Sequence, residues 1–262
     1  MSLDFNILGM TWNQVGEIVS TANLKHLIAV WPWGSIEQHG PRMPIETDTM
    51  IAQHFANHIA KFDEVIELPT MPFGMARHHE AFPGTLSLSM ETATGLATEV
   101  MRSLRRMGVK KLMVLLGHGG NVAPFNAALE IVRSEIPDLK VCEPLMPLFY
   151  AREGDLGALL RSFDEEVSHA GAAEASLVYA IMKKHGRHED IAQLQNIPIT
   201  DKMVTFGKHG QGTKGGDPQE FLAMFPSGSK GDQRKANLGT GHHILSLMEQ
   251  ALTRALQEFR VL

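Results

Sequence analysis

The chain has 262 residues, of which 44% are hydrophobic and 20% are charged, and this balance excludes an intrinsically disordered protein. Its formal net charge of −5 gives no electrostatic reason to expect nucleic acid or an anionic membrane surface as a partner. The sequence has a single cysteine, no bilayer-length apolar run and no signal-peptide pattern, so we expect a cytoplasmic protein without an internal disulfide.

Short apolar runs alternate with stretches of helical periodicity, a pattern typical of α/β units around a parallel sheet. Strands are predicted at 27–30, 65–68, 112–116 and 140–142. Helices are predicted at 47–62, 89–108, 124–136, 174–185 and 242–259. No linker divides the chain, so we expect one domain over residues 1–262, with a mobile, glycine-rich loop at 207–216.

The densest group of polar residues follows the first predicted strand. Glu37 and His39 are two residues apart, and in an extended segment this spacing points both side chains to the same side. Asp48 lies where the next helix begins. Two carboxylates and an imidazole so close in sequence suit a divalent ion such as zinc, manganese or iron(II). The alternative is a polar loop in which Asp48 is only a helix N-cap.

His118 follows the most apolar predicted strand and is flanked by Gly117, Gly119 and Gly120. Open α/β sheets bind their ligands at the carboxyl ends of parallel strands, and the glycines let backbone approach whatever His118 holds. A phosphate-binding glycine turn is one alternative, although neither the Walker pattern nor G-x-G-x-x-G is present. An ordinary strand-to-helix turn would explain the glycines but not the histidine.

His169 and Glu174 form a third group. In one continuous helix their spacing of five would put them on different faces. We therefore predict that His169 lies in the loop before a helix and Glu174 in its first turns, where both can face one cavity. The alternative is that Glu174 only stabilises the helix N-terminus.

The other histidines carry weaker signals. His79 opens a fourth group, His79 to Thr85, which is predicted as an apolar turn. His54 and His58 are four apart on a helix but lack the glutamate of H-E-x-x-H, so we place them beside the packed face. His242 and His243 are expected to face solvent at the start of the last helix.

Together the four groups resemble the creatininase (creatinine amidohydrolase) family. The matching patterns are P-x-G-S-x-E-Q-H-G-P with a following T-D, then H-x-x-F-P-G-T, G-H-G-G-N and H-A-G-x-x-E, in the same order over residues 32–176. The resemblance implies a single three-layer α/β/α domain with a mostly parallel sheet. It also implies two divalent ions per subunit (zinc, manganese or iron), a small-molecule substrate and a homo-oligomer, by family resemblance a hexamer.

Carried onto this sequence, the resemblance implies that Glu37, Asp48 and His118 bind one ion. His39, Asp48 and a further carboxylate would bind the second ion, so that Asp48 bridges. We take His169 and Glu174 as the catalytic residues, with His169 moving a proton to the departing nitrogen.

The sequence departs from creatininase proper at two positions. Creatininase has a metal-binding glutamate where this chain has Gly120, and Glu174 is the natural substitute. Arg42 stands where many members have histidine. We therefore expect a substrate other than creatinine, with a small cyclic amide or a formamide as the leading class. Family relatives also include a pyrimidine-nucleotide deformylase, peptide-trimming enzymes and a hydrolase of a keto-inositol ring.

Two competing interpretations come from different classes of protein. One is a non-catalytic protein that kept the fold and binds a metal or ligand, although such a protein would not need the proton shuttle His169. The other is a Ser-His-Asp hydrolase, for which Ser35 follows a strand but lacks the G-x-S-x-G nucleophile elbow.

Overall fold

Four parallel strands form the sheet of this computed structural model, which describes residues 6–21, 27–163, 168–199 and 217–262. The strands are β1 (Ile28–Trp33), β2 (Val65–Glu67), β3 (Lys111–Leu116) and β4 (Lys140–Cys142), in the order β2-β1-β3-β4. β1 and β3 pair along their whole length, from Ile28 with Lys111 to Trp33 with Leu116. All four predicted strands are confirmed, and the loop predicted at 207–216 lies outside the described residues.

β1 extends three residues beyond its predicted end, through Pro32. The Pro32 carbonyl accepts a hydrogen bond from the Met71 backbone N–H. In a parallel strand the N–H and C=O of one residue point to the same side, so the missing N–H of Pro32 faces the β2 side. β2 has already ended at Glu67, so the proline interrupts no ladder hydrogen bond there.

Helices connect and cover the strands. In the described residues they are α1 (Trp12–Thr21), α2 (Thr47–Ile59), α3 (Met90–Arg106), α4 (Val122–Glu135), α5 (Met146–Phe149), α6 (Gly154–Arg161), α7 (Ala172–Lys184), α8 (His188–Gln195), α9 (Pro218–Met224) and α10 (Leu238–Val261). The five predicted helices correspond to α2, α3, α4, α7 and α10. None of the described helices combines the length and apolar character needed to cross a membrane.

Local signals explain several helix ends. The Ser89 side chain accepts a hydrogen bond from the Thr92 N–H at the start of α3, as expected for an N-cap. Gly108 after α3 and Gly186 after α7 both have a positive φ, of 99° and 77°. α10 begins four residues before His242, because Asn237 caps it by accepting from the Thr240 N–H.

Alternate residues of the two central strands are buried on opposite faces of the sheet. One face packs against α2, α7 and α10, and its strand residues are Ile28, Val30, Met113 and Leu115. The other face packs against α3 and α4, and its strand residues are Ala29, Trp31, Leu112 and Val114. Each large apolar side chain that is fully buried in this way stabilises the fold by roughly 1.5–3 kcal/mol. The three-layer α/β/α fold is confirmed.

The chain leaves β1 and β3 toward opposite faces of the sheet. α2 follows β1 and joins the core of one face, whereas α4 follows β3 and joins the core of the other. Between two such strands an open α/β sheet has a crevice at the carboxyl ends. Gly117 at the end of β3 allows α2 to pack closely against this crevice, because a Cβ there would lie 2.2 Å from the Asp48 carbonyl oxygen of α2.

Candidate metal centre

The predicted metal ligands converge at the crevice between β1 and β3. Glu37 and His39 follow β1, and His118 follows β3. Asp48 is the second residue of α2 and Glu174 the third residue of α7, so both carboxylates lie in the first turn of a helix, where the helix dipole favours negative charge. Glu37, His39, Asp48 and His118 are each at most 5% exposed.

Glu37, Asp48 and His118 form one group of ligand atoms. His118 Nδ1 lies 3.3 Å from Glu37 Oε1 and 3.0 Å from Asp48 Oδ2. On the other side of the ring, Nε2 is 3.1 Å from the Met75 carbonyl oxygen, to which it donates. This hydrogen bond leaves the Nδ1 lone pair directed at the two carboxylates, as in metal-ligating histidines.

His39, Asp48 and Glu174 form a second group. His39 Nε2 lies 3.2 Å from Asp48 Oδ1 and 3.9 Å from Glu174 Oε1. His39 Nδ1 donates to the Glu37 carbonyl oxygen at 3.1 Å, which fixes the ring and leaves Nε2 as the free acceptor. The two oxygens of Asp48 therefore face different groups, the arrangement needed for a carboxylate that bridges two cations.

The unsatisfied atoms of the site fit divalent cations. When both imidazoles are neutral, as metal binding requires, His39 Nε2 and Asp48 Oδ2 are among the described buried atoms that have no hydrogen-bond partner. A buried polar atom left unpaired costs about 1–3 kcal/mol, which a cation between these lone pairs would remove. In each group the ligand atoms lie within 4.8 Å of one another. Carboxylate oxygens with imidazole nitrogens are a donor set suited to zinc, manganese or iron(II).

Gly120 has no room for the glutamate that creatininase carries at this position. A Cβ on Gly120 would lie 2.2 Å from the Met75 carbonyl oxygen and 2.3 Å from His118 Nε2. The hydrogen bond that orients His118 therefore occupies the space a side chain would need. Glu174, on α7, lies with Oε1 3.9 Å from His39 Nε2, and its role as the substitute ligand stays a prediction.

The charges in the site strongly shift its protonation. Burial opposes a charged imidazole, but the Asp48 carboxylate beside it raises the pKa of His39 to about 10. The pKa of His118 also rises well above its ordinary value despite burial, because of Glu37 and Asp48. Burial raises the pKa of Glu174 to about 7. Without a cation, protons bound to His39, His118 and Glu174 offset the negative charge of the Glu37 and Asp48 carboxylates.

His169 lies in the turn before α7, with its ring facing the site. Nε2 is 3.0 Å from the Gln38 carbonyl oxygen, to which it donates, so Nδ1 is the free acceptor. Nδ1 lies 3.5 Å from Glu37 Oε1. Burial, and then the nearby charge of His39, hold the pKa of His169 well below its ordinary value. The predicted placement of His169 in the loop and Glu174 in the helix is confirmed.

His79 and Gln38 also belong to the site, and no role for them was predicted. The His79 ring stacks on the His169 ring, with centroids 4.2 Å apart, and its Nε2 lies 3.7 Å from Glu37 Oε1. The Gln38 side-chain amide donates to the Gly228 carbonyl oxygen and to His79 Nδ1, each at 2.9 Å. Its nitrogen also lies 2.9 Å from His169 Nε2, whose own proton goes to the Gln38 carbonyl oxygen. The signal for His79 was its place at the start of H-x-x-F-P-G-T, which was interpreted only as a turn.

Tyr150 is a further side chain at the mouth of the site. Its hydroxyl lies 3.7 Å from where a Cβ on Gly119 would stand, beside the turn that carries His118. Burial of the phenol, and then the Glu174 carboxylate, raise the pKa of Tyr150. The side chain is nevertheless 56% exposed, so it borders both the site and solvent.

The histidines assigned to packing or to the surface lie where predicted. His54, on α2, is buried against α10, and its Nε2 lies 2.9 Å from Glu249 Oε1. His58, also on α2, has its Nε2 2.9 Å from the Thr253 hydroxyl. His242 and His243 are exposed.

Comparison with known proteins identifies the family. Residues 9–256 match the creatininase family, described as creatinine amidohydrolase. The chain belongs to the creatininase family. The resemblance drawn from the four motifs is thereby confirmed, and the match extends well beyond the motifs themselves.

Relatives within the creatininase family are similar over most of the chain. Mycofactocin precursor peptide peptidase from Mycobacterium tuberculosis is 27% identical over 229 residues, which cover 84% of this chain and 80% of the relative. The crystal structure of creatinine amidohydrolase has a TM-score of 0.79 at 23% identity, covering 98% of this chain and 99% of that one. A Zn-Zn form of a creatininase variant has a TM-score of 0.78 at 22% identity, covering 98% of both chains. Relatives in the creatininase family include hydrolases that act on C–N bonds, such as this peptidase, and this chain is a hydrolase of the same family.

Proposed function

We propose that this enzyme is a metal-dependent amidohydrolase with a dinuclear divalent metal centre. The ions would activate a water for attack on the carbonyl carbon of a small cyclic amide or a formamide, so that its C–N bond breaks, and creatinine is not the substrate. The observation that carries the proposal is the position of Asp48, whose two carboxylate oxygens face two separate groups of buried ligand atoms. These two groups have Asp48 alone in common.

Five side chains would hold the two ions. Glu37, Asp48 and His118 are assigned to one ion, and His39, Asp48 and Glu174 to the other. Two divalent cations that share a carboxylate supply a water that ionises near neutral pH and a Lewis acid for a carbonyl oxygen.

His169 is assigned the proton transfers. Its neutral imidazole presents Nδ1 to the site, while Nε2 is held by the Gln38 carbonyl. Nδ1 therefore accepts the proton that the attacking water loses, and later returns it to the departing nitrogen. His79, stacked on the His169 ring, limits the rotation of the imidazole. Glu174 is the second proposed catalytic residue, and it acts by binding the second ion.

The local chemistry argues against creatinine. Gly120 replaces a glutamate of creatininase and cannot accept a side chain, so the second group is built from α7 instead. Arg42, at a position where many members have histidine, donates its Nε–H to the Ile197 carbonyl and not into the metal groups.

A peptide bond is the main rival substrate within C–N hydrolysis, since one relative is named a peptidase. Opening of a keto-cyclitol ring is a second rival activity, and non-catalytic metal binding is a third interpretation.

A hydrolysis screen with defined metal content tests the proposal. Protein stripped with a chelator should hydrolyse none of a set of cyclic amides, formamides, short peptides and keto-cyclitols, and added manganese or zinc should restore turnover of an amide. The proposal fails if metal restores nothing, or if the keto-cyclitol alone is consumed.

The His169→Ala variant separates proton transfer from metal binding. Turnover should fall about a hundredfold or more while the metal content stays unchanged, because a general acid–base group is lost and no ligand is removed. His243→Ala, at an exposed position of α10, is the matched control and should match the wild type. Loss of metal from His169→Ala would make His169 a ligand.

We also propose that the enzyme is a homo-oligomer, a hexamer by family resemblance, and that residues 1–262 form one domain. Light scattering of the purified protein measures the subunit number directly.

A further inference from the structure

Lys230 lies beside the candidate metal centre, although no motif pointed to it. Its backbone N–H donates to the His169 carbonyl oxygen at 3.0 Å, so its side chain starts next to the proposed proton shuttle. Its ammonium lies over the Phe221 ring, 5.1 Å from the ring centroid, and 5.7 Å from the centroid of Phe225. The Lys230 side chain is therefore held against two aromatic rings.

The aromatic rings connect this ammonium to the site. The Phe221 ring lies edge-on to the His79 ring, with centroids 4.6 Å apart, and His79 in turn stacks on His169. Burial lowers the pKa of Lys230, and the Glu37 carboxylate opposes that effect. The ammonium thus lies within electrostatic range of a proposed metal ligand while contacting none of the ligand atoms.

Lys230 has no acidic partner in the part of the chain that the structure describes. Arg187, which is also partly buried, is paired with Glu46 at 2.6 Å, whereas the buried Lys111 ammonium donates to the Arg260 carbonyl oxygen at 2.6 Å. A cation–π contact offsets only part of the desolvation of a half-buried ammonium. The position therefore favours an anion from outside the part of the chain that the structure describes.

The proposed centre would not oppose this preference for an anion. Three carboxylates and one hydroxide balance two divalent cations, so Lys230 gives the loaded site a net positive charge. A neutral amide gains nothing from this charge, whereas an anionic substrate is attracted and oriented by it.

We propose that Lys230 binds a carboxylate of the substrate, so that the substrate class is an amide bearing a carboxylate near the scissile C–N bond. This inference rests on the proposed amidohydrolase function. A carboxylate is preferred over a phosphate because a single ammonium is a compact point charge, whereas phosphate sites combine several donors. The competing interpretation is that Lys230 only packs on Phe221 and Phe225.

A pair of probes that differ only in charge tests the assignment. N-formylglycine carries a carboxylate, and N-formylglycinamide is its neutral counterpart. Dissociation constants are measured by calorimetry on manganese-loaded protein in the His169→Asn background, which slows turnover under the proposed mechanism. N-formylglycine should bind about 10- to 100-fold more tightly, the range for a hydrogen bond to a charged group.

Variants at Lys230 then separate charge from packing. Lys230→Met keeps an apolar stem on the aromatic rings and should remove the preference for N-formylglycine while leaving binding of the neutral probe unchanged. Lys230→Arg should retain most of the preference. Lys235→Met removes the same charge at an exposed position nearby and should change neither constant. Melting temperatures of the variants check that each is folded.

Each other outcome overturns either the inference or the proposed function on which it rests. If Lys230→Met weakens the binding of both probes equally, or the binding of neither, Lys230 is a packing residue. If N-formyl-aminomethylphosphonate binds much more tightly than N-formylglycine, the anion is phosphate-like and the carboxylate assignment is wrong. If the neutral formamide is hydrolysed and no charge preference exists, the inference fails while the proposed function stands. If the preference exists and no amide is hydrolysed, the proposed function fails while the anion site stands.

Discussion

His39, His118 and Glu174 must each give up a proton before they can hold a cation. The pKa of His39 is about 10 and that of Glu174 about 7 without a cation, and the pKa of His118 lies well above its ordinary value. Below pH 7 both Glu174 and His39 are protonated, whereas between pH 7 and 10 Glu174 has lost its proton and His39 keeps its own; the raised pKa of His118 acts in the same direction as that of His39. Metal affinity should therefore rise with pH up to about 10, and most steeply below pH 7.

Calorimetry in buffers of different ionisation enthalpy measures this proton release. At pH 6, binding of manganese should release more protons per chain than at pH 8, because Glu174 contributes only at the lower pH. An affinity that does not change between pH 6 and 8, with no protons released, would contradict the assignment of these residues as ligands.

Gly120 gives a second test at the scale of one residue. Gly120→Ala places a methyl group against the Met75 carbonyl oxygen and His118 Nε2, so it should destabilise the fold by about 1–3 kcal/mol and displace His118. We expect the metal content to fall to about one ion per chain. Denaturant unfolding and metal analysis are the measurements. Gly119→Ala is the matched control, since its Cβ would meet only the Tyr150 hydroxyl, at 3.7 Å, and both values should stay near those of the wild type.

The sequence was informative for those residues whose geometry follows from short spacings. Glu37 and His39 point the same way because an extended chain has a period of two. His169 and Glu174 were placed correctly because their spacing of five does not fit one face of a helix. The contacts of Gln38 with His169 and of Lys230 with Phe221 depend on how distant loops pack, and no short spacing encodes such packing.

At the scale of elements, the sequence predicted those helices whose own residues carry a recognisable pattern. α2, α3, α4, α7 and α10 have apolar periodicity or recognisable ends. α5, α6 and α8 are only 4–8 residues long, and helices of that length depend on tertiary packing and not on their own propensity. The start of α10 was placed late because the Asn237 cap lies outside the apolar stripe.

The Ser89 cap provides a test at this scale. Ser89→Ala removes the acceptor for the Thr92 N–H at the start of α3 and should lower the free energy of unfolding by about 1 kcal/mol. Hydrolase activity should not change, because α3 covers the face of the sheet away from α2 and α7. Ser134→Ala, near the end of α4 and exposed, is the control and should cost nothing, since alanine is the better helix former. A loss of stability no larger than that of Ser134→Ala would contradict the capping role.

At the scale of the whole molecule, the candidate metal centre connects several elements. Its proposed ligands come from the ends of β1 and β3 and the starts of α2 and α7, which are far apart in the sequence. Cations bound there stabilise only the folded chain, by about 2.7 kcal/mol for one site at a concentration 100 times its dissociation constant. For a chain of this size that corresponds to a rise in melting temperature of at least about 5 °C.

Calorimetric scans with and without a chelator check this effect and the proposed single domain together. One transition should be observed, and the whole of it should shift when manganese is added. Two transitions of which only one responds to metal would indicate two domains.

The most direct test of the dinuclear centre is a crystal structure of the manganese-loaded enzyme, with diffraction data collected on both sides of the manganese absorption edge. The account predicts two anomalous peaks per chain, one between Glu37, Asp48 and His118 and the other between His39, Asp48 and Glu174, with Asp48 contacting both. A single peak, or peaks away from Asp48, would contradict it.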